Sequence, residues 1–203
     1  MQRRRMILEE IYMKAIGFII LLVFYFVYIG KMVLQRRQGT QTDQIAKGSR
    51  RDKVFYIELI MKAATYSVVI IEVISIVFVK PVVPSHVRFL GMILGFVGDV
   101  VFALAVITMK DNWRAGIAEN DKTEMVTAGI YQFSRNPAFL GFDLVYLGIV
   151  LMFFNWVLLL FSVFAVVMLH LQILQEEKYL PQVFGEAYLL YCSKVCRYLG
   201  TKR

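Results

Sequence analysis

Two clusters of polar residues lie at the ends of long apolar stretches, and they have the clearest capacity for chemistry. Arg135, Asn136 and Asp143 lie where one apolar stretch begins, and Glu176 and Glu177 follow another. A guanidinium group is a planar set of donors that fits a carboxylate or a phosphate, and carboxylates can hold an ammonium group. For the glutamate pair taken alone, a solvated helix end is the simpler interpretation. Together the clusters indicate a polar binding site at the edge of an apolar body.

The stretch between the clusters predicts a helical hairpin. Residues 138–154 and 156–174 are apolar and are separated by Asn155. A short connection makes the two helices antiparallel, so both clusters should emerge on the same face. We expect a polar pocket there, open sideways to lipid and covered by the tail 175–203. In this tail, residues recur at the period of a helix laid on a surface: Leu180, Phe184, Tyr188 and Tyr191.

The composition is that of a membrane protein. The chain has 203 residues, of which 59% are hydrophobic and 19% charged, whereas about 25% are charged in soluble domains. An apolar helix of about 20 residues spans a bilayer. We predict an all-α integral membrane protein with about five transmembrane helices, forming a single membrane domain over residues 1–203 with its catalytic part at 110–203. The predicted spans are 15–34, 54–79, 89–109, 138–154 and 156–174.

The formal net charge of +8 indicates orientation in the membrane. Lys and Arg are enriched in cytoplasmic loops, and most of them lie in the loop 35–53, the segment 110–137 and the tail. We therefore predict a multi-pass protein of the cell inner or plasma membrane whose active site faces the cytoplasm, although Arg3 to Arg5 oppose this orientation. No basic stripe with stacking aromatics indicates a nucleic acid as partner. With two Cys and two His, we expect neither a metal site nor a disulfide framework.

Four charged residues lie inside the second and third predicted spans, where an unpaired charge costs several kcal/mol. Lys62 and Asp99 lie at similar depths, about 12 and 15 Å from the cytoplasmic ends of their helices. This match predicts an ion pair between the second and third spans, with a functional polar pocket as the alternative. Glu58 and Glu72 are the other two charged residues. For Glu72 the sequence indicates no partner.

Glycines recur on one face of the third span, at Gly91, Gly95 and Gly98. Small residues let transmembrane helices approach closely. We therefore expect a helix to pack on this face, with contact to a cofactor as the alternative.

Three motifs occur in order in the second half of the chain. They are Met-Val-Thr-Ala-Gly-Ile-Tyr at 125–131, Arg-Asn-Pro-Ala-Phe at 135–139, and Glu176-Glu177 followed by Phe-Gly-Glu-Ala-Tyr-Leu-Leu-Tyr at 184–191. With the apolar hairpin between them, they resemble the integral-membrane methyltransferases that include isoprenylcysteine carboxyl methyltransferase and the phospholipid N-methyltransferases. The resemblance covers about 112–198, under half of the chain.

The resemblance implies that S-adenosyl-L-methionine is the cofactor and that the acceptor is a lipophilic molecule that enters from the bilayer. A carboxylate acceptor would be oriented by Arg135, whereas an amine acceptor would give its proton to Glu177, so these two residues are the predicted catalytic pair. Which acceptor is used stays open. The implied cofactor-binding residues are Thr123, Glu124, Met125, Val126, Tyr131, Asn136, Pro137, Ala138, Phe139 and Glu176.

The chain departs from the family pattern at three positions. Asn136 replaces a histidine and Phe139 a tyrosine, which removes a ring nitrogen and a hydroxyl group from the implied cofactor pocket. Gln172 replaces the arginine that prenylcysteine enzymes have four residues before the first glutamate. A neutral amide cannot grip a carboxylate as a guanidinium does, so Gln172 is the predicted substrate-binding residue that sets acceptor choice.

Two other functions compete with methyl transfer. In one, the protein is a non-enzymatic membrane binding or assembly protein on a methyltransferase scaffold, and Asn136, Phe139 and Gln172 mark a decayed site. In the other, Lys62, Asp99 and Glu72 form the path of a small transporter, although the sequence lacks the repeated halves that transporters usually have. Arg135 and the glutamate pair favour the enzyme. The oligomeric state is not predicted, and membrane lipids are the expected surroundings.

Overall fold

The computed structural model describes residues 2–38, 45, 53–113 and 124–202, and within this part the protein is helical. Strands are absent from the described residues, which hold only an isolated bridge between Val195 and Thr201. The all-α prediction is thereby confirmed. The helices are α1 Gln2–Arg37, α2 Lys53–Phe78, α3 Ser85–Met109, α4 Pro137–Met152 and α5 Trp156–Lys194, with short 3-10 turns at Lys110–Asn112 and Gly129–Gln132.

Four of the helices are long and apolar enough to cross a membrane. The fifth apolar helix, α4, has 16 residues, or about 24 Å of helix, whereas the hydrocarbon core of a bilayer is about 30 Å thick. The structure therefore has the five predicted apolar helices, of which α4 is shorter than a full membrane span. The four long spans are Ile7–Arg37, Lys53–Phe78, Ser85–Asn112 and Trp156–Lys194.

The hairpin between α4 and α5 is confirmed, and Asn155 makes its turn. The Asn155 side chain accepts a hydrogen bond from the Leu158 amide at 2.9 Å, so it caps the first turn of α5. Its amide nitrogen also donates to Ser75 Oγ at 2.9 Å, which ties the turn to α2. At the opposite end of α4, Pro137 occupies the first helical turn, where its missing N–H costs nothing.

The tail was predicted as an amphipathic C-terminal helix, and it is helical as far as Lys194. It follows the first part of α5 directly and is set off from it by a kink at the non-helical Gly185, where φ is 57°. Glycine tolerates this positive φ without steric penalty, so the chain changes direction there and resumes the helix. The residues of the predicted apolar face cluster with Met125 inside the protein: Leu180, Phe184, Tyr188 and Tyr191.

The glycine face of α3 packs against α4, as predicted. A Cβ atom on Gly91 would lie 2.6 Å from the Gly148 carbonyl oxygen, and one on Gly98 would lie 2.9 Å from the Gly141 carbonyl oxygen. Gly95 faces α1, since its Cβ would lie 2.7 Å from Ile20. Backbone and side-chain atoms of this protein thus occupy the whole face, and the alternative of a cofactor on it is wrong.

The predicted ion pair between Lys62 and Asp99 is absent. Both carboxylate oxygens of Asp99 are buried without a hydrogen-bond partner in the described part of the chain. Similar depth does not make two helices neighbours: α3 packs on α4 and α1, whereas α2 packs mainly on α5. Glu72 is fully buried, and its oxygens also lack partners among the described residues.

Contacts between helix ends show which loops share a side. At the end of α1, Gln35 Nε2 donates to the Trp113 carbonyl oxygen at 3.1 Å, and Lys31 lies 3.6 Å from Asp111. Near its other end, Lys14 Nζ donates to the Val77 carbonyl oxygen at 3.0 Å. The ends of α1 and α3 therefore lie together, and the end of α2 lies at the opposite end of the bundle.

Candidate active site

A cavity of about 180 Å³ lies between the end of α3, the segment 124–139 and the second half of α5. Every predicted cofactor-binding residue that the structure describes lines it, while Thr123 lies outside the described residues. The sequence-predicted residues at this cavity are Glu124, Met125, Val126, Tyr131, Asn136, Pro137, Ala138, Phe139 and Glu176, and Arg135 joins them.

Hydrogen bonds from neighbouring helices fix the segment that leads into α4. The Glu124 amide donates to Asn112 Oδ1 at 2.9 Å. Farther along, the Tyr191 hydroxyl of α5 donates to the Tyr131 carbonyl oxygen at 2.6 Å. Burial raises the pKa of Tyr131 well above its ordinary value, and the nearby Tyr191 and Glu176 raise it further. Tyr131 is therefore a neutral hydroxyl at physiological pH.

The structure brings the two polar clusters of the sequence together. Arg135 Nη2 lies 2.8 Å from Glu177 Oε1, and Asn136 Nδ2 donates to the same oxygen at 3.3 Å. Glu177 itself does not line the cavity. It stands behind the wall and connects the start of α4 to α5.

A second arginine, Arg197, completes this network. Its Nε and Nη2 donate to Glu177 Oε2 at 2.9 and 2.7 Å, and the hydrogen bond to Glu177 raises the pKa of Arg197. Both oxygens of Glu177 thus already accept from guanidinium groups. The catalytic role of Glu177 stays a prediction.

Residues 195–201 close against the loop before α4. The Arg135 amide donates to the Cys196 carbonyl oxygen at 3.1 Å, and the Gly200 amide donates to the Phe133 carbonyl oxygen at 2.7 Å. Asn136 Nδ2 also donates to the Arg197 carbonyl oxygen at 3.1 Å. The tail therefore fixes the positions of Arg135 and Asn136. No pattern in the sequence predicts that Arg197 binds Glu177.

Arg135 lines the cavity and retains hydrogen-bonding capacity. Its Nε is buried and has no partner among the described residues, while its Nη2 pairs with Glu177. A buried guanidinium nitrogen without an acceptor is costly. The wall of the cavity thus holds one cationic side chain with an unsatisfied donor and, at Glu176, one carboxylate.

A second cavity of about 80 Å³ adjoins the first. The two cavities share Trp113, Ala138, Phe139 and Glu176. The other walls of the smaller cavity are almost entirely apolar or aromatic: Tyr28, Ile45, Met61, Thr65, Phe102, Phe142 and Leu169.

Gln172 lies at the polar end of this smaller cavity. Its side chain is fully buried. Its Nε2 donates to Glu176 Oε1 at 3.1 Å and to Glu58 Oε1 at 3.4 Å, whereas its Oε1 has no partner in the described part of the chain. The predicted acceptor-selecting residue therefore lies beside the predicted cofactor-binding glutamate.

Sequence reasoning missed several walls of the larger cavity. Tyr188 and Tyr191 stand in the last of the three motifs, which could have marked them as site residues. Asn112 and Trp113 end the α3 region and carry no comparable signal. The remaining unpredicted lining residues are Met109, Tyr179, Leu180, Val183 and Phe184.

Comparison with known proteins agrees with this arrangement. Residues 89–182 match the model of the isoprenylcysteine carboxyl methyltransferase family. This range contains most of α3, all of α4 and the part of α5 up to residue 182. Glu176 and Glu177 lie inside it.

Curated plant proteins are similar over about half of the chain. A probable protein-S-isoprenylcysteine O-methyltransferase of Oryza sativa subsp. indica is 29% identical in an alignment of 117 residues that covers 54% of this chain and 59% of that protein. Protein-S-isoprenylcysteine O-methyltransferase B of Arabidopsis thaliana is 30% identical in an alignment of 110 residues that covers 52% of this chain and 55% of that protein. The chain thus spans less than two thirds of the length of these relatives. Its segment 89–182 is similar to the isoprenylcysteine carboxyl methyltransferase family.

Proposed function

We propose that this protein transfers a methyl group from S-adenosyl-L-methionine to a lipophilic acceptor that enters from the bilayer. The observation that carries the proposal is that two different cavities share wall residues. The larger one has the predicted cofactor-binding residues in its walls, and the smaller one adjoins it and has mostly apolar walls. A polar donor and an apolar acceptor can therefore meet at the shared wall.

The side chains of the larger cavity suit an amino acid joined to an aromatic base. Glu176 can accept hydrogen bonds from an ammonium group, and the unpaired Nε of Arg135 can donate to a carboxylate. Aromatic rings from α4 and α5, including Phe139 and Tyr188, line the same space, and such rings attract cations and stack on planar groups.

When bound, S-adenosyl-L-methionine supplies an electrophilic methyl group on a positively charged sulfur. The chain must align the acceptor with this group and exclude water, since alignment and desolvation can account for most of the rate. Phe139 lies where the two cavities meet, so its ring can border the reacting groups. Asn136 instead connects the start of α4 to Glu177 and the tail, which is a positioning role.

The acceptor is a prenylcysteine-like carboxylate or a lipid amine. The relatives are named as isoprenylcysteine O-methyltransferases, which supports a prenyl chain in the apolar cavity. In this proposal residues 110–203 form the catalytic part of a single membrane domain, and the site faces the cytoplasm.

Two measurements test the function. Titration calorimetry with S-adenosylhomocysteine on the protein in nanodiscs should show binding. Incubation with methyl-labelled S-adenosyl-L-methionine and a total lipid extract should give labelled lipid, which mass spectrometry would identify. Absence of binding would contradict the proposal and favour the non-enzymatic alternative with its decayed site. Binding without label in any lipid or prenylated compound would contradict methyl transfer to these acceptors.

A further inference from the structure

The end of the chain forms a small hairpin that lies against the site. Residues 195–201, which we call the tail hairpin, turn back on themselves with an isolated bridge between Val195 and Thr201. The Cys196 amide donates to the Gly200 carbonyl oxygen at 2.8 Å. Gly200 has a φ of 110°, a conformation that glycine adopts without steric penalty. The tail hairpin therefore has a defined turn.

The backbone of the tail hairpin holds the loop that carries two cavity residues. The Cys196 carbonyl oxygen accepts from the Arg135 amide at 3.1 Å, and the Arg197 carbonyl oxygen accepts from Asn136 Nδ2 at 3.1 Å. Arg135 and Asn136 both line the larger cavity. A displacement of the tail hairpin would therefore displace these two parts of the cavity wall.

Two neighbouring side chains attach the tail hairpin to α5. Arg197 pairs with Glu177 at 2.7 Å, and Tyr198 reaches His170, with 2.6 Å between Tyr198 Oη and His170 Nδ1. The two rings also stack, with their centroids 5.9 Å apart and an angle of 15° between their planes. His170 and Glu177 are separated by about two turns of helix, so they lie on the same face of α5. The tail hairpin is thus held at two points along one helix face.

The direction of the hydrogen bond between Tyr198 and His170 follows from the surroundings of the tyrosine. Burial and the nearby Asp143 raise the pKa of Tyr198, so its hydroxyl group keeps its proton at physiological pH. A neutral imidazole with its proton on Nε2 accepts a hydrogen bond at Nδ1. Tyr198 is therefore the donor to a neutral His170.

We propose that His170 and Tyr198 are positioning residues of the site: their contact sets the place of the tail hairpin and, through its backbone, of Arg135 and Asn136. This inference rests on the proposed methyltransferase function. Neither His170 nor Tyr198 is among the described residues that line the two cavities. They act on cofactor binding only through the tail hairpin.

Three variants separate the hydrogen bond from the ring contact. Tyr198→Phe and His170→Phe each keep an aromatic ring and remove the hydrogen bond, whereas His170→Asn removes the ring and keeps an acceptor near the place of Nδ1. We expect the two phenylalanine variants to bind S-adenosylhomocysteine about three- to tenfold more weakly in nanodiscs, the range in which the loss of one hydrogen bond falls. His170→Asn should bind more tightly than His170→Phe. Titration calorimetry measures the affinities.

The double variant of His170→Phe and Tyr198→Phe tests whether the two side chains act through one contact. If they do, it should bind no more weakly than either single variant. Thermal unfolding without ligand is measured for every variant. A contact with a purely structural role would lower the unfolding temperature and leave the affinity of the folded protein unchanged.

Two controls match these variants. Leu199→Ala changes the next residue of the tail hairpin, which is 72% exposed, and His86→Phe changes the other histidine, which is also exposed. Both should bind as the wild type does. Because the chain has two histidines, nitrogen NMR can observe the contact directly. Tyr198→Phe should shift the Nδ1 signal of His170 and leave that of His86 unchanged.

The outcomes separate this inference from the function on which it rests. If the wild type does not bind S-adenosylhomocysteine, the proposed function fails and the inference fails with it. If the wild type binds and the phenylalanine variants bind equally well, only the positioning role is overturned. Additive losses in the double variant, or a loss in Leu199→Ala as large as in Tyr198→Phe, would also overturn it. If Tyr198→Phe does not fold, the comparison of His170→Phe with His170→Asn decides alone.

Discussion

Glu176 lines both cavities, which makes it the side chain through which donor and acceptor would influence each other. We expect Glu176→Gln to weaken S-adenosyl-L-methionine binding about tenfold or more, because a hydrogen bond to a charged group contributes roughly 1.5–3 kcal/mol. Titration calorimetry measures the change.

The matched control for this prediction is Glu186→Gln, an exposed glutamate on the same helix that lines neither cavity. It should bind the cofactor as the wild type does. Unchanged affinity in a folded Glu176→Gln protein would contradict the assignment of Glu176 to the methionyl ammonium.

Arg197 is expected to position Arg135 through Glu177. The Arg197 side chain is 39% exposed, so its loss should cost little stability, about 0–1 kcal/mol. We expect Arg197→Ala to weaken cofactor binding several-fold, because Glu177 then holds Arg135 without the bidentate partner on its other oxygen. Calorimetry measures binding, and thermal unfolding measures stability.

Arg197→Lys should restore part of the affinity, since a lysine supplies the charge without the planar pair of donors. Lys194→Ala, an exposed cation at the end of α5, should have no effect. An Arg197→Ala protein with wild-type affinity would show that the tail positions nothing in the cavity.

At the residue scale, the sequence predicts the cavity well where its motifs are local. Residues 124–126 and 136–139 are short contiguous runs of the sequence that line the cavity together. The hairpin between α4 and α5 is enough to place Glu176 beside them. Arg197 and Trp113 were not predictable, because their roles depend on how the tail and the end of α3 fold back. The Gln172 bridge to Glu58 depends on α2 packing beside α5, which no spacing in the sequence reveals.

At the scale of helices, α3 and α4 are joined by direct backbone contact. A Cβ atom on Gly148 would lie 2.6 Å from the Gly95 nitrogen and 2.7 Å from the Gly91 carbonyl oxygen. Backbone atoms cannot rotate away, so Gly148→Ala must separate the helices. We expect it to lower the free energy of unfolding by about 2 kcal/mol or more, measured by thermal unfolding in detergent.

Gly30→Ala is the control for this helix contact. A Cβ atom on Gly30 would meet nothing within 4 Å, and alanine favours a helix over glycine by about 1 kcal/mol. This variant should be as stable as the wild type or slightly more so. Equal stability of the two alanine variants would contradict the close approach of α3 and α4.

Helix number and the hairpin were predictable because apolar length and a capping asparagine are local signals. Two properties of the helices were not. The kink of α5 at Gly185 depends on a positive φ after which the helix resumes, and the same glycine can equally end a helix. The missing pair between Lys62 and Asp99 shows that depth in the membrane is readable from a single helix, whereas adjacency requires the whole packing.

For the whole molecule, orientation is the property to test. With Cys192 and Cys196 replaced by serine, we expect a cysteine at Gln132 to react with a membrane-impermeant maleimide from the cytoplasmic side. A cysteine at Val82, at the end of the bundle near Val77, should react from the other side. Both positions are exposed. Labelling of the two cysteines in the reverse pattern would place the cavity on the outer face.

The shortness of α4 has a consequence for the surrounding lipid. Its 16 residues fall about 6 Å short of the hydrocarbon thickness, and such hydrophobic mismatch is relieved by local thinning of the bilayer or by polar groups drawn below its surface. Pro137, Ala138 and Phe139 begin this helix and line the larger cavity. The membrane surface should therefore dip towards the site, so that an acceptor could present its head group there while its chain stays in the hydrocarbon.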